Sequence, residues 1–393
     1  MAMSTRYLLV AMAVMLGVGA QAQPPAPVAS AIVPASECRT ASAMIAFDFD
    51  GASASACAIL GEREFAVLVS PEHAPPINPS PWYAFRYESA GDAPVSITLR
   101  YLGRKHRYAP KWNGGGGWRE LVADVADDGA AASLNVPGGA GVVAAQEVIG
   151  PDDHAAVLRL WSAEAGAPIL NLGQSHDGRP VEALRLGRAD APKLVVLLGR
   201  QHPPEVTGAI AMQAFVDELV GIAGRDPGLG ADTQFLIVPL INPDGAARGH
   251  WRANRGSTDL NRDWGDFAQP ETRAVKAWLD ALTAHVRPVL MIDFHSTTRN
   301  LFYVQGDEAN AAQQRFLAAW LAGREEDFAG YPFTIEPRNA NPGSGTAKNW
   351  FYATYDIPAY TYEVADTADR SAARRAAGDL AASLITALEE LGR

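Results

Sequence analysis

Two textures of apolar patterning divide the chain. From about Cys38 to about Gly150 the apolar runs are short and alternate with polar residues, as in Ala43–Phe49, Phe65–Val69, Trp82–Tyr87 and Val95–Tyr101. Gly, Pro and Asp punctuate them, among them Gly91-Asp92 and the run from Gly114 to Gly117. A period of two with frequent turn residues predicts an all-β sandwich over residues 37–150. After Pro151 compact apolar runs alternate with amphipathic stretches. Lys193–Gly199, Thr233–Leu240, Val289–His295 and Ala359–Val364 read as strands buried on both faces. Val206, Ile210, Phe215 and Leu219 fall at near-helical spacing and predict a helix from Glu205 to Ile222. Further helices are expected at Glu271–Ala284, Asn310–Phe328 and Asp369–Leu391. Residues 151–393 therefore read as an α/β domain, a mixed central sheet with helices on both faces. Ligands of such sheets gather where loops leave the carboxyl ends of the strands.

The first 22 residues carry a different signal. Arg6 precedes an apolar run from Tyr7 to Gly19, and Ala20-Gln21-Ala22 has the small-x-small form of a cleavage site. Residues 1–22 thus read as a secretory signal peptide cut after Ala22, and the Pro- and Ala-rich residues 23–36 as a flexible leader. The run is shorter than the roughly 20 residues of a membrane span. No other segment reads as one, so no stable membrane insertion is expected. The product would be exported, periplasmic or secreted. Cys38 and Cys57 would then meet an oxidising compartment, where a disulfide is expected; two buried thiols are the alternative. Apolar residues make up 48% of the 393, enough for a sizeable core. With 44 acidic against 33 basic residues and a net charge of −11, the chain lacks the basic face that nucleic acid requires.

Four polar clusters stand at predicted strand ends. His202-Pro203-Pro204-Glu205 places an imidazole and a carboxylate three residues apart at a strand-to-helix junction, where both can reach one cation. A surface His and a first-turn Glu would look the same. His295 closes the strand that begins at Val289, as a third ligand or as a core His. The segments Trp251–Arg255 and Asp259–Trp264 are dense in guanidinium and amide groups, which suit carboxylates. Glu363 interrupts the apolar strand Tyr360–Val364; burial would suit it to act as a general base, unless its face meets water.

Taken together these residues resemble the zinc carboxypeptidase family, the carboxypeptidase A-like metallopeptidases. The order His-x-x-Glu, Arg, Asn-Arg, His, Glu is present from about Pro151 to the C-terminus. The N-terminal part is similar to that of the cytosolic carboxypeptidase subfamily, whose members carry a β-sandwich before the catalytic domain. Pro81-Trp82-Tyr83-Ala84-Phe85-Arg86-Tyr87 and Gly117-Trp118-Arg119 carry that likeness. The resemblance implies one zinc ion (Zn2+) per chain, held by His202, Glu205 and His295, with Asp259 orienting the first imidazole. It implies that Glu363 takes a proton from a zinc-activated water and hands it to the leaving amine, that Arg252 stabilises the oxyanion, and that Asn261 and Arg262 grip the substrate's carboxylate. The implied partner is a peptide with a free C-terminal carboxylate.

Lys348 falls at the family's specificity position, where the cytosolic branch has a basic residue and removes acidic C-terminal residues. An acidic preference is implied, unless Lys348 is an exposed helical lysine. The digestive members cover the substrate with a Tyr, at whose place stands Asn341. The loop Asn339–Gly345 is a candidate lid, and Tyr352 and Tyr355 read as core residues of a helix. An amidohydrolase acting on N-acyl amino acids or cell-wall peptides, and a non-catalytic binding module, are the competing functions. Oligomeric state is left open.

Overall fold

The computed structural model describes residues 37–52, 56–73, 79–226, 229–341 and 343–392. The expected signal peptide and leader lie outside the described residues.

Alternation decides the N-terminal part. In the strand Val95–Tyr101 the residues Val95, Ile97, Leu99 and Tyr101 are buried and Arg100 is exposed. A six-stranded sheet and a five-stranded sheet are built this way. Ile45, Phe85 and Tyr87 from one, and Phe65, Ile97 and Leu99 from the other, share one core. Cys38 lies in the first sheet and Cys57 in the second, and the two form a disulfide. The cross-link closes a loop of 19 residues; by the loop-entropy relation this stabilises the fold by about 3 kcal/mol.

The second part is an eight-stranded mixed sheet. Its four central strands, in the order Thr233–Val238, Lys193–Gly199, Arg287–Thr297 and Ala359–Ala365, are parallel. Both faces are covered, which is why apolar residues occupy both sides of these strands. Val195, Leu197, Phe235 and Ile237 join one core with Phe215 and Leu380. Val196, Leu198, Leu236 and Val238 join another with Val275 and Phe351. The sandwich and this sheet are not separate bodies. From Glu37 onward the described residues belong to one compact unit. Val206, Ile210 and Trp251 extend the sandwich core into the α/β part.

The helix Val206–Arg225 is pinned to the carboxyl ends of the central strands. Thr207 Oγ1 donates to Ser296 Oγ at 2.8 Å and to the Val364 carbonyl at 3.2 Å, and the Gly208 amide donates to Ser296 Oγ at 2.8 Å. Glycine is required there, because a Cβ would lie 2.5 Å from the His295 carbonyl oxygen. By length and apolar content this helix would also pass for a membrane span, contrary to the expectation that no segment beyond the leader would. Packing on three sides accounts for its character: residues such as Val206, Phe215, Val216 and Leu219 are fully buried.

Several predicted ends shift. The helix expected over Asn310–Phe328 stops at Trp320, and the chain then turns with Gly323 at φ 81°. The strand expected to reach Leu240 ends at Val238, before Pro239. The strand expected over Ala43–Phe49 ends at Ala46, and that expected over Trp82–Tyr87 runs Ala84–Ser89. The helix Pro151–Ala165, the edge strands Ile169–Gln174 and Thr334–Pro337, and the strand Leu301–Val304 next to the edge had no sequence assignment.

The Gly208 contact makes a test. Gly208→Ala should overpack the helix against the His295 backbone, lowering stability by about 1–3 kcal/mol and weakening divalent-metal binding, as read by denaturation and metal titration. Wild-type values for both would remove Gly208 from the support of this site.

Candidate active site

Three neighbouring strand ends deliver the chemistry. After Lys193–Gly199 the chain turns through Arg200, at φ 50°, whose guanidinium donates to the Pro203 carbonyl at 2.7 Å. Asn242 Nδ2 donates to the Gln201 carbonyl at 3.0 Å and holds this loop to the next strand's exit. The loop presents His202, and Glu205 occupies the N-cap of the following helix. In the adjacent strands His295 and Glu363 are direct partners in parallel register. Their faces are set by alternation: Phe294, Tyr362 and Val364 enter the core, so Asp293, His295 and Glu363 project from the opposite face.

Glu205 is the hub. Its Oε1 lies 2.8 Å from His202 Nδ1 and its Oε2 lies 2.7 Å from His295 Nδ1. One donor atom from each of the three lies within 4.8 Å of the others, and all three residues are buried. Each imidazole is held at its other nitrogen. His202 Nε2 meets Asp259 Oδ1 at 2.9 Å, and His295 Nε2 meets Asp293 Oδ2 at 2.7 Å. A carboxylate on Nε2 places the proton there and leaves the Nδ1 lone pair free for a metal. Two imidazoles and one carboxylate form the donor set of a catalytic zinc site.

The field is that of a cation site. Burial would lower the His295 imidazole, yet the carboxylates of Asp293 and Glu205 hold it well above its ordinary value. Burial would raise Asp259, yet His202 and Arg252 hold it below the carboxylate range. Two buried carboxylates, Glu205 and Asp293, and the partly buried Asp259 around two imidazoles leave an excess of negative charge that a divalent ion would balance. Beside them, burial lifts the Glu363 carboxyl to about 7, with His295 pulling it down and Glu205 pushing it up. Glu363 Oε2 is buried without a hydrogen-bond partner among the described residues.

The remaining expected residues line the same cavity of about 730 Å³. Arg252 is 7% exposed, and its Nε donates to Asp259 Oδ2 at 2.6 Å. Asn261 Nδ2 lies 3.3 Å from His295 Nε2, and the exposed Arg262 donates to the Asn261 carbonyl at 2.6 Å. Lys348 is 5% exposed, which excludes the exposed helical lysine. Its Nζ donates to the Arg338 carbonyl at 2.7 Å, and burial lowers its pKa to about 8. From the expected lid loop, Asn339 reaches the cavity wall. Tyr352 and Tyr355 pack against a hydrophobic core, as expected.

Some residues of the site, behind the ligands or in the cavity wall, had not been singled out. Asp293 could have been found from its place two residues before His295, on the same strand face. Tyr303 puts a phenol in the cavity from the strand Leu301–Val304, which lies between Ala359–Ala365 and Thr334–Pro337. Arg104, Lys105 and Arg107 come from the sandwich. Arg107 is held by Asp366 Oδ2 and Ser80 Oγ, each at 2.8 Å. No local pattern marks them, because they meet the site only through contact between the two parts of the chain.

Comparison with known proteins agrees with this geometry. The family profile described as zinc carboxypeptidase matches residues 167–376. Cytosolic carboxypeptidase 6 of Mus musculus is 29% identical over 172 residues, 41% of this chain and 31% of that protein. Cytosolic carboxypeptidase 1 of Xenopus laevis is 31% identical over 101 residues, 25% of this chain and 8% of that protein. The chain thus spans about a third or less of the length of these relatives. A metallo-carboxypeptidase from Burkholderia cenocepacia superposes with a TM-score of 0.72 at 20% identity, covering 88% of this chain and 99% of that one. A metallo-carboxypeptidase from Pseudomonas aeruginosa, solved with (2-guanidinoethylmercapto)succinic acid, gives 0.69 at 22% identity over 88% and 99%. At these identities the likeness is one of fold.

Asp293→Asn keeps the shape but loses the charge behind His295. Zinc affinity, measured by competition with a chelating dye, should fall about 10- to 100-fold. An unchanged affinity would mean that Asp293 does not support the ligand.

Proposed function

The chain belongs to the zinc carboxypeptidase family, and on that premise we propose that it hydrolyses the last peptide bond of a peptide ending in a free carboxylate, preferring acidic C-terminal residues. The observation that carries the reading is the convergence of His202, Glu205 and His295 beside a Glu363 that faces the cavity with a buried, unpartnered oxygen. One zinc ion held by those three would supply a Lewis acid for the scissile carbonyl and make water a better nucleophile. The protein's own groups do the rest. Glu363 accepts a proton from water and returns it to the leaving amine. The Arg252 guanidinium faces the oxygen on which charge develops. Asn261 and Arg262 take the terminal carboxylate, so an internal residue would leave Arg262 without its partner.

The acidic preference is supported by the cavity's charge. Lys348, Arg338 and Arg262 from the α/β part and Arg104, Lys105 and Arg107 from the sandwich line it, with only Glu205 and Glu363 as carboxylates among the described lining residues. This basic interior belongs to a chain of net charge −11, so the cationic field is local. A buried ammonium also penalises a cationic side chain by repulsion and desolvation. Export is part of the proposal, supported by the Cys38–Cys57 disulfide.

Metal analysis and a scan of peptides differing in their last residue test the reading, which requires one zinc per chain and release of single C-terminal residues. Glu363→Gln should retain zinc and lose about 100-fold or more in kcat. Full turnover in that variant would displace Glu363 from its role.

The acidic preference has its own test. Lys348→Ala should cut the kcat/KM ratio of Glu-ended over Leu-ended peptides by about ten- to a hundredfold, the worth of a charged hydrogen bond. In the wild type the same ratio should be highest below pH 7 and fall as pH rises through about 8, where Lys348 loses its proton. A ratio indifferent to both changes would refute the pocket assignment.

A further inference from the structure

We propose that Glu72, a residue of the N-terminal sandwich, is a positioning residue for Arg252. Glu72 follows the strand Glu64–Val69, and its side chain is 9% exposed. Its Oε2 accepts from the Trp251 amide at 2.7 Å. Its Oε1 accepts from the Arg252 amide at 3.1 Å and from the Ala253 amide at 2.8 Å. Three consecutive backbone N–H groups thus close on one carboxylate, forming an anion-binding nest.

The segment 251–254 is neither helix nor strand, so no regular ladder serves those amides, and buried amides must find partners elsewhere. The amide of residue 252 belongs to the peptide plane before its Cα, and the amide of residue 253 to the plane after it. Holding both on one oxygen sets φ and ψ of Arg252 and therefore the direction of its side chain. From there Arg252 Nε reaches Asp259 Oδ2 at 2.6 Å, and Asp259 Oδ1 reaches His202 at 2.9 Å. A carboxylate on the sandwich thereby aims the guanidinium that serves the oxyanion. The sandwich is part of the catalytic apparatus rather than an appendage. This inference rests on the proposed role of Arg252.

The test uses the full-length, zinc-loaded protein. Glu72→Gln keeps the shape but turns an acceptor oxygen into an N–H donor facing an amide. A missing oxyanion donor costs about 100- to 1000-fold in kcat, and a misaimed one should cost at least about tenfold, with KM within about threefold and zinc content unchanged. Glu72→Asp should recover part of the loss. A phosphonate that mimics the tetrahedral intermediate should lose affinity in step with kcat/KM, while a free product amino acid binds as before. In the same zinc-loaded protein, hydrogen exchange at amides 251–253 should quicken in Glu72→Gln while the central strands keep their protection.

Wild-type kcat with unchanged exchange would overturn the proposal, as would parallel losses of zinc, stability and all binding. Should Glu72→Gln not fold, Glu72→Asp decides by the same readouts. A wild-type chain that cleaves no peptide would sink the carboxypeptidase reading instead, and the exchange measurement would still judge Glu72.

Discussion

The site depends on one carboxylate shared between two imidazoles. Glu205 sits 2.8 Å from His202 and 2.7 Å from His295, in a buried setting where an isolated charge would be costly. Asp259 and Asp293 deepen the imbalance from behind by fixing the far nitrogens. Such an array is stable only if its negative charge is answered, by protons on the imidazoles or by a cation. The loop after Lys193–Gly199, the pinned helix Val206–Arg225 and the register of His295 with Glu363 all serve to hold this geometry.

The basic lining of the cavity shows why net charge is a poor guide to a binding site. The chain is acidic overall, and its surface field would repel an acidic peptide at long range. Within about 8–10 Å of solution screening, local groups dominate. Arg107 is the clearest instance. It is carried by the sandwich but tethered by Asp366, three residues beyond Glu363 on the C-terminal side. The two parts of the chain therefore meet across the cavity, and each contributes to its wall.

Legibility followed locality. His202, Glu205, His295 and Glu363 were readable because each ends or follows a strand whose apolar run is visible in one dimension, and because their order matches a known family. Lys348 was readable only as a position in that order; its burial was not, since a helix with one lysine looks the same on the surface or in a wall. Asp293 was within reach, two residues from His295 on one strand face. Tyr303 and Arg107 were beyond reach, because nothing local distinguishes a Tyr on a short strand or a loop Arg that faces a cavity from one that faces water. The edge strands, with their mixed burial, also left too weak a period to assign.

The amino-acid order by itself determined the division into a sandwich and an α/β part, the central strands, the pairing partners for a disulfide and the residues that converge as a candidate metal site. These rest on periodicity and local chemistry, which a chain carries in any conformation. Only the tertiary structure decided that the sandwich supplies a wall of the cavity and that Glu72 grips the backbone of Arg252. Those contacts join residues up to 259 positions apart, and their existence depends on how two packed bodies come together rather than on any pattern along the chain.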